Sequence, residues 1–295
     1  MANIYQQISS NKIRSGFILT LFIAFILVVA YIITVSFNLD NSLIIGAIAF
    51  SLISSLSGYF AGDKMVLSLN QAKPADKKNY FDFYTVVENL SQVNQTPVPK
   101  IYVIDSPAPN AFATGRDPQH AAVCATTGLL NKLNRTELEG VMAHELSHIK
   151  NYDTRLMTLV SVLVGSLSIL INSATRYSFF SRNNRDNDRQ GSGLLSIIGF
   201  GLIIFAPIIA QLIQLAISRR REFLADASAV KLTRQPKGLI NALIKISSDP
   251  NQMQTASTAT ASLYINNPFK NNKLASLFST HPPIEDRIKA LSQML

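Results

Sequence analysis

The chain has 295 residues, of which 47% are apolar and only 15% charged, and its 27 Lys+Arg stand against 18 Asp+Glu for a formal net charge of +9. Soluble domains carry roughly 25% charged residues, so this composition excludes a disordered chain and points toward a membrane. The single cysteine, Cys124, excludes an internal disulfide framework and a cysteine-based zinc cluster, and suits a catalytic part kept in a reducing compartment.

The low charge is unevenly spread. Residues 16–37, 41–62, 156–175 and 190–218 contain no Asp, Glu, Lys or Arg. A helix crosses the hydrocarbon core with about 20 apolar residues, so each run is long enough to span. Pro207 should kink the fourth. Lys12 and Arg14 precede the first run as in a signal peptide, but the run exceeds the usual ~7–15 residues and no A-x-A-like site follows, so an uncleaved anchor is expected. Lys12, Arg14, Lys64, Lys73, Lys77, Lys78, Lys150, Arg155, Arg219, Arg220 and Arg221 all fall on one side of four such spans, which should be the cytoplasm. Arg176, Arg182, Arg185 and Arg189 in the loop between the third and fourth runs argue the other way. Either four spans with a basic outer loop or a second hairpin that does not fully cross would fit. Juxtamembrane Lys and Arg account for the basic excess through anionic lipid, and no nucleic-acid partner is expected.

The expected organisation is an N-terminal transmembrane hairpin (1–62), a first cytoplasmic part (63–155), a second transmembrane hairpin (156–218) and a second cytoplasmic part (219–295). Within the first cytoplasmic part, Phe83, Val86, Val87 and Leu90 recur at helical spacing over 81–93. Residues 100–105 alternate and read as a strand, Ser106-Pro107-Ala108-Pro109 as a turn, 110–115 as an extended piece, and 121–127 as a second strand. Asn134 with Glu137 three residues on has capping-box spacing, which starts a helix over 135–151 packed through Val141, Leu146 and Ile149. The polar stretch 247–261 reads as a loop. Strands followed by helices give an α+β class, mostly α.

The chemistry lies in that capped helix. His144-Glu145-Leu146-Ser147-His148 places two imidazoles four residues apart on one face, where both can reach one zinc ion, with Glu145 beside them to take a proton from an activated water. A catalytic zinc usually takes three protein ligands. Asn151 and Thr154 occupy the positions where a Gly and a third His would extend the motif, so the third ligand comes from elsewhere. His120 and His281 are the remaining histidines, but Glu222 stands out. It follows the fourth run by about one helical turn, and an antiparallel hairpin of the third and fourth runs would return it to the His144–His148 end. Asp226 lies four residues further on the same helix face, placed to accept an N–H from a zinc-bound histidine.

These residues resemble a known family. H-E-L-S-H (144–148), E-F-L-A-D (222–226), N-A-F-A-T-G (110–115) and L-F-S-T-H-P-P-I-E-D-R (277–287) are similar to motifs of the HtpX family, bacterial membrane zinc metalloproteases related to the CAAX prenyl proteases. The resemblance covers nearly the whole chain. It implies a four-helix transmembrane region bearing a cytoplasmic, zincin-like catalytic domain in the cell inner membrane. It implies an endopeptidase with one Zn2+ per chain, acting on misfolded or damaged membrane proteins during stress. His144, His148 and Glu222 would be the ligands and Glu145 the general base. Asn110 would hold substrate backbone at the edge strand, and His281 and Arg287 would contact the scissile peptide or its developing oxyanion. His120 receives no role, and Cys124 reads as buried packing. Three rivals are less well matched. An intramembrane protease would not surround its motif with Arg135, Glu137, Glu139, Lys150 and Asp153. A non-catalytic metal-binding or chaperone-like protein would not need Glu145. A prenyl-processing enzyme would need more spans.

Overall fold

A computed structural model describes residues 4–36, 40–183, 219–251, 253, 260–266 and 282–294. Two long helices open the chain, α1 (Ile4–Ser36) and α2 (Ser42–Leu69). Both contain a stretch long and apolar enough to cross a membrane, Ile8–Tyr31 with mean hydropathy 2.4 and Ile44–Leu69 with 1.7. Their outward faces are apolar: Phe17, Leu21 and Val28 on α1, and Ile45, Leu52, Ile53 and Leu56 on α2, are exposed. An exposed apolar surface of this extent marks a site of contact with a membrane or with another protein. The third charge-free run lies in α6 (Asp153–Asn183); the fourth falls outside the described residues. The start of α6 packs against α1, with Leu156, Leu159, Val160 and Leu163 buried on Ile18, Phe22, Ile26 and Val29. Against α2 it approaches closely at Gly58 and Gly62, where a Cβ on Gly62 would lie 2.8 Å from Thr158 Cγ2. Small residues four apart allow such an approach between helices.

The rest is α+β. Short β1 (Lys73–Pro74) and helix α3 (Phe81–Asn94) precede β2 (Lys100–Ile104), β3 (Ala111–Gly115) and β4 (Ala121–Thr126). The sheet order is β1-β2-β4-β3, so β3 is an edge strand. β2 and β4 run parallel, Ile101 opposite Val123, while β3 and β4 form an antiparallel hairpin with Ala111 opposite Ala125. β2, β3 and β4 fall within the stretches that the sequence reads as extended, but β1 lies in a stretch that it reads as polar linker, and Thr127 belongs to a following helix, α4 (Thr127–Lys132).

Alternate residues of the sheet serve two cores. Ile101, Val103, Ala111, Ala113, Val123 and Ala125 face α3, α5 (Arg135–Lys150) and α8 (Pro236–Ser248). Tyr102, Ile104, Phe112, Ala122 and Cys124 face Val66 and Leu67 of α2 and Met157 and Val162 of α6. A strand covered on both sides shows no polar alternation, which is why residues 121–126 are almost continuously apolar. The catalytic-type helix α5 is therefore fixed, through one sheet, to the helices that carry the apolar runs.

Candidate metal centre

α5 begins with the expected capping box: Glu137 N–H donates to Asn134 Oδ1 at 3.0 Å, and Asn134 N–H to Glu137 Oε2 at 2.9 Å. Lys245 Nζ on α8 donates to the same Glu137 carboxylate at 2.8 Å. Gly140 lets α8 close onto α5; a Cβ there would lie 2.7 Å from the Leu239 backbone nitrogen. These contacts set the height and angle at which the next turns present His144, Glu145 and His148, all buried.

α7 (Arg219–Thr233) crosses α5 and presents Glu222 and Asp226, likewise four apart and buried. The helix pair thus joins residues far apart in sequence. His144 Nε2 and His148 Nε2 lie 3.1 Å apart, His144 Nε2 is 3.6 Å from Glu222 Oε2, and His148 Nε2 is 3.5 Å from Glu222 Oε1. With zinc–ligand bonds near 2.0–2.1 Å, neighbouring donors of a tetrahedral site sit about 3.3 Å apart, so this donor set fits zinc. Among the described residues, these three form the one group of His, Cys, Asp and Glu with ligand atoms converging in this way.

The far side of each ring strengthens that fit. His144 Nδ1 is 2.9 Å from Asp226 Oδ1, and His148 Nδ1 is 3.0 Å from Asp153 Oδ2. A carboxylate at Nδ1 keeps the proton there and leaves the Nε2 lone pair for a metal. Two lone pairs 3.1 Å apart repel unless a cation or a proton lies between them. Burial and the Arg287 guanidinium both oppose a charged His144, yet Asp226 and Glu222 outweigh them and raise its pKa to about 9. His148 is raised too: burial opposes the charge, while Glu222 and Asp153 favour it. The cluster is built to hold positive charge.

Arg287 on α9 (Ile284–Ser292) is fully buried and forks onto Asp226, Nε to Oδ2 at 2.8 Å and Nη2 to Oδ1 at 2.6 Å. Burial would raise the Asp226 carboxyl; Arg287 and His144 overcome it and hold the pKa at about 2. The same guanidinium feels the charges of Glu222 and Glu145, and among the described residues its buried Nη1 has no partner. The resemblance assigned Arg287 to substrate; the structure gives its fork to Asp226 and leaves Nη1 over.

Asn110 also has protein partners. Its Nδ2 donates to the Asn266 carbonyl at 2.9 Å, and Asn266 N–H returns a 3.3 Å bond to Asn110 Oδ1. Ile265 N–H donates to the Ala111 carbonyl at 3.0 Å, so the chain itself lies along the first residues of edge strand β3. His281 lies outside the described residues. His120 is exposed and pairs with Asp117 in the β3–β4 turn. Cys124 is buried, and burial pushes its thiol pKa up, as packing would require.

The sequence reading missed Asp153. It stands five residues after His148, off any helical face, and reaches the ring because Tyr152 turns the chain at φ 59°.

A family model described as peptidase family M48 matches residues 82–295. The chain belongs to peptidase family M48. It is 44% identical to the "Protease HtpX homolog" of Dictyoglomus turgidum over 98% of this chain and 94% of that protein. It is 45% identical to the "Protease HtpX homolog" of Lactobacillus helveticus over 99% of this chain and 100% of that protein. Among solved structures it is similar to the crystal structure of S. mikatae Ste24p, with 22% identity, a TM-score of 0.49, and coverage of 94% of this chain and 62% of that one. This M48 member is a membrane-associated metallopeptidase, a hydrolase of peptide bonds in peptides or proteins.

Proposed function

We propose that this M48 peptidase is a zinc-dependent endopeptidase of the bacterial cytoplasmic membrane that cuts misfolded or damaged membrane proteins on the cytoplasmic side, as part of the stress response. The carrying observation is the convergence of His144 Nε2, His148 Nε2 and the Glu222 carboxylate, with both Nδ1 atoms anchored by carboxylates. Bound there, zinc would polarise the scissile carbonyl and make a water acidic enough to attack near neutral pH.

The chain's own residues do the rest. Glu145, on the same turn as His144, takes the proton from the attacking water and returns it to the leaving amine. Asp226 and Asp153 keep the Nδ1 protons in place, so that both Nε2 lone pairs face one point. Arg287 secures Asp226 and offers Nη1 to negative charge developing on the substrate, a task His281 shares. An extended peptide aligns along edge strand β3. Asn110 reaches that peptide once Asn266 yields its amide.

The basic residues at the ends of the apolar runs support the cytoplasmic side and the division into 1–62, 63–155, 156–218 and 219–295. The test is cleavage of an unfolded membrane protein by purified full-length chain and its Glu145→Gln variant, with zinc measured in both. The variant should keep its zinc and lose at least about 10²-fold in rate. Cleavage at the wild-type rate would refute the assigned base.

A further inference from the structure

The N-terminal helix reaches the metal centre. Asn11 lies on α1 ahead of most of its apolar run, yet it is only 3% exposed. Both hydrogens of its carboxamide are bonded across the molecule. Nδ2 donates to the Asn151 carbonyl at 2.9 Å and to Asp153 Oδ1 at 2.8 Å. Asn151 ends α5 and Asp153 opens α6. Between them Tyr152 holds φ at 59°, a left-handed conformation unusual for a residue other than glycine. Lys12 Nζ sits 4.6 Å from the centre of the Tyr152 ring. The other oxygen of Asp153 meets His148 Nδ1 at 3.0 Å. Asn11 and Lys12 therefore grip the turn that aims a carboxylate at His148. A further group on Asp153, Arg221 Nη1, is more distant at 3.6 Å.

A buried amide in a helix facing an apolar neighbour is costly unless its hydrogen bonds are made. Packing alone does not ask for one here, because Ile18, Phe22, Ile26 and Val29 already seat α1 on α6. What Asn11 adds is direction: it fixes one carboxylate oxygen so that the other points at the imidazole.

We propose that Asn11 is a positioning residue of the metal centre, and that docking of the start of α1 and metal binding at His148 strengthen one another. The inference rests on His148 being a metal ligand. Loss of the partner that orients a ligating histidine typically weakens metal binding by ~10–100-fold. Coupling between two binding events is reciprocal, so the metal must tighten the Asn11 contact by the same factor.

The experiment uses the full-length chain in detergent micelles and zinc as the probe. Zinc Kd is measured by chelator competition for wild type, Asn11→Ala, Asn11→Asp and His148→Gln. Melting of the metal-free proteins and hydrogen exchange at the start of α1, with and without zinc, accompany it. Both Asn11 variants should bind zinc more weakly, by at most the ~10–100-fold that losing the Asp153 carboxylate itself would cause, and Asn11→Ala should melt within a few degrees of wild type when metal-free. Zinc should slow exchange around residues 11–15 in wild type and not in Asn11→Ala. Asn11→Asp keeps the size of the side chain, so a fall in its affinity cannot come from a cavity. Wild-type zinc affinity in both Asn11 variants, with His148→Gln deficient, would overturn this inference alone. Unchanged affinity in His148→Gln would instead refute the ligand assignment on which it rests.

Discussion

Breaking the Asp226–Arg287 pair from one side should cost far more than its removal as a pair. The two side chains are 2% and 0% exposed and share bonds of 2.8 and 2.6 Å. In Arg287→Met the carboxylate loses both guanidinium donors and keeps, among the described residues, only His144 Nδ1 at 2.9 Å. An uncompensated buried charge of this kind costs about 3–5 kcal/mol. Asp226→Leu strands the guanidinium instead, at a similar cost. In the double variant both charges are gone, and the main remaining penalty is the orphaned His144 N–H, about 1–3 kcal/mol. The coupling energy should therefore exceed ~2 kcal/mol, well beyond the ~0.5 kcal/mol within which independent sites add. Zinc affinity should behave differently: it should fall ~10–100-fold in Asp226→Leu and stay low in the double variant, because His144 has lost its carboxylate in both. Denaturation of metal-free protein on a Glu145→Gln background, with chelator competition alongside, measures the two quantities. Additive stability losses, or zinc affinity recovering together with stability, would refute the reasoning.

Gly140→Ala should destabilise the protein even though alanine favours helix by about 1 kcal/mol, because its Cβ would meet the Leu239 backbone nitrogen at 2.7 Å. Overpacking costs about 1–3 kcal/mol, and thermal melting would show the net loss. Cys124 is buried with its pKa raised, so a thiol reagent should label it only upon unfolding, as mass spectrometry across a denaturant series would report. Stripping metal with a chelator should lower the melting temperature of wild type but not of His148→Gln. At free zinc 100 times Kd the stabilisation lost is about 2.7 kcal/mol.

The parts of this site that follow local rules were legible in the sequence. The Asn134–Glu137 spacing locates the start of α5, and the four-residue spacing of His144 and His148 puts them on one face. Glu222 could be reached because the charge-free runs suggest a hairpin that would return the chain to its starting side. Contacts made by turns and by distant segments could not be read. Asp153 reaches His148 only through the left-handed turn at Tyr152, which no helical period predicts. Asn11 and Asp153 are joined across most of the first half of the chain, and Asn110 meets Asn266 across more than half its length; neither pairing leaves a local trace. The bonds from Arg287 to Asp226 could not be read either, because the two residues lie on different helices far apart in sequence. The sheet illustrates the same limit: β4 is covered on both faces, so its sequence shows that it is buried but not by what.

The most direct test of the central claim is the zinc content and cleavage activity of Glu222→Ala beside wild type. Glu222 joins the two histidines only in the folded chain, with its carboxylate oxygens 3.6 and 3.5 Å from their Nε2 atoms. Wild type should hold one zinc per chain and cleave an unfolded membrane protein, while the variant should lose most of its metal under the same dialysis and all measurable cleavage. A Glu222→Ala protein that kept a full equivalent of zinc and cut at the wild-type rate would contradict the account.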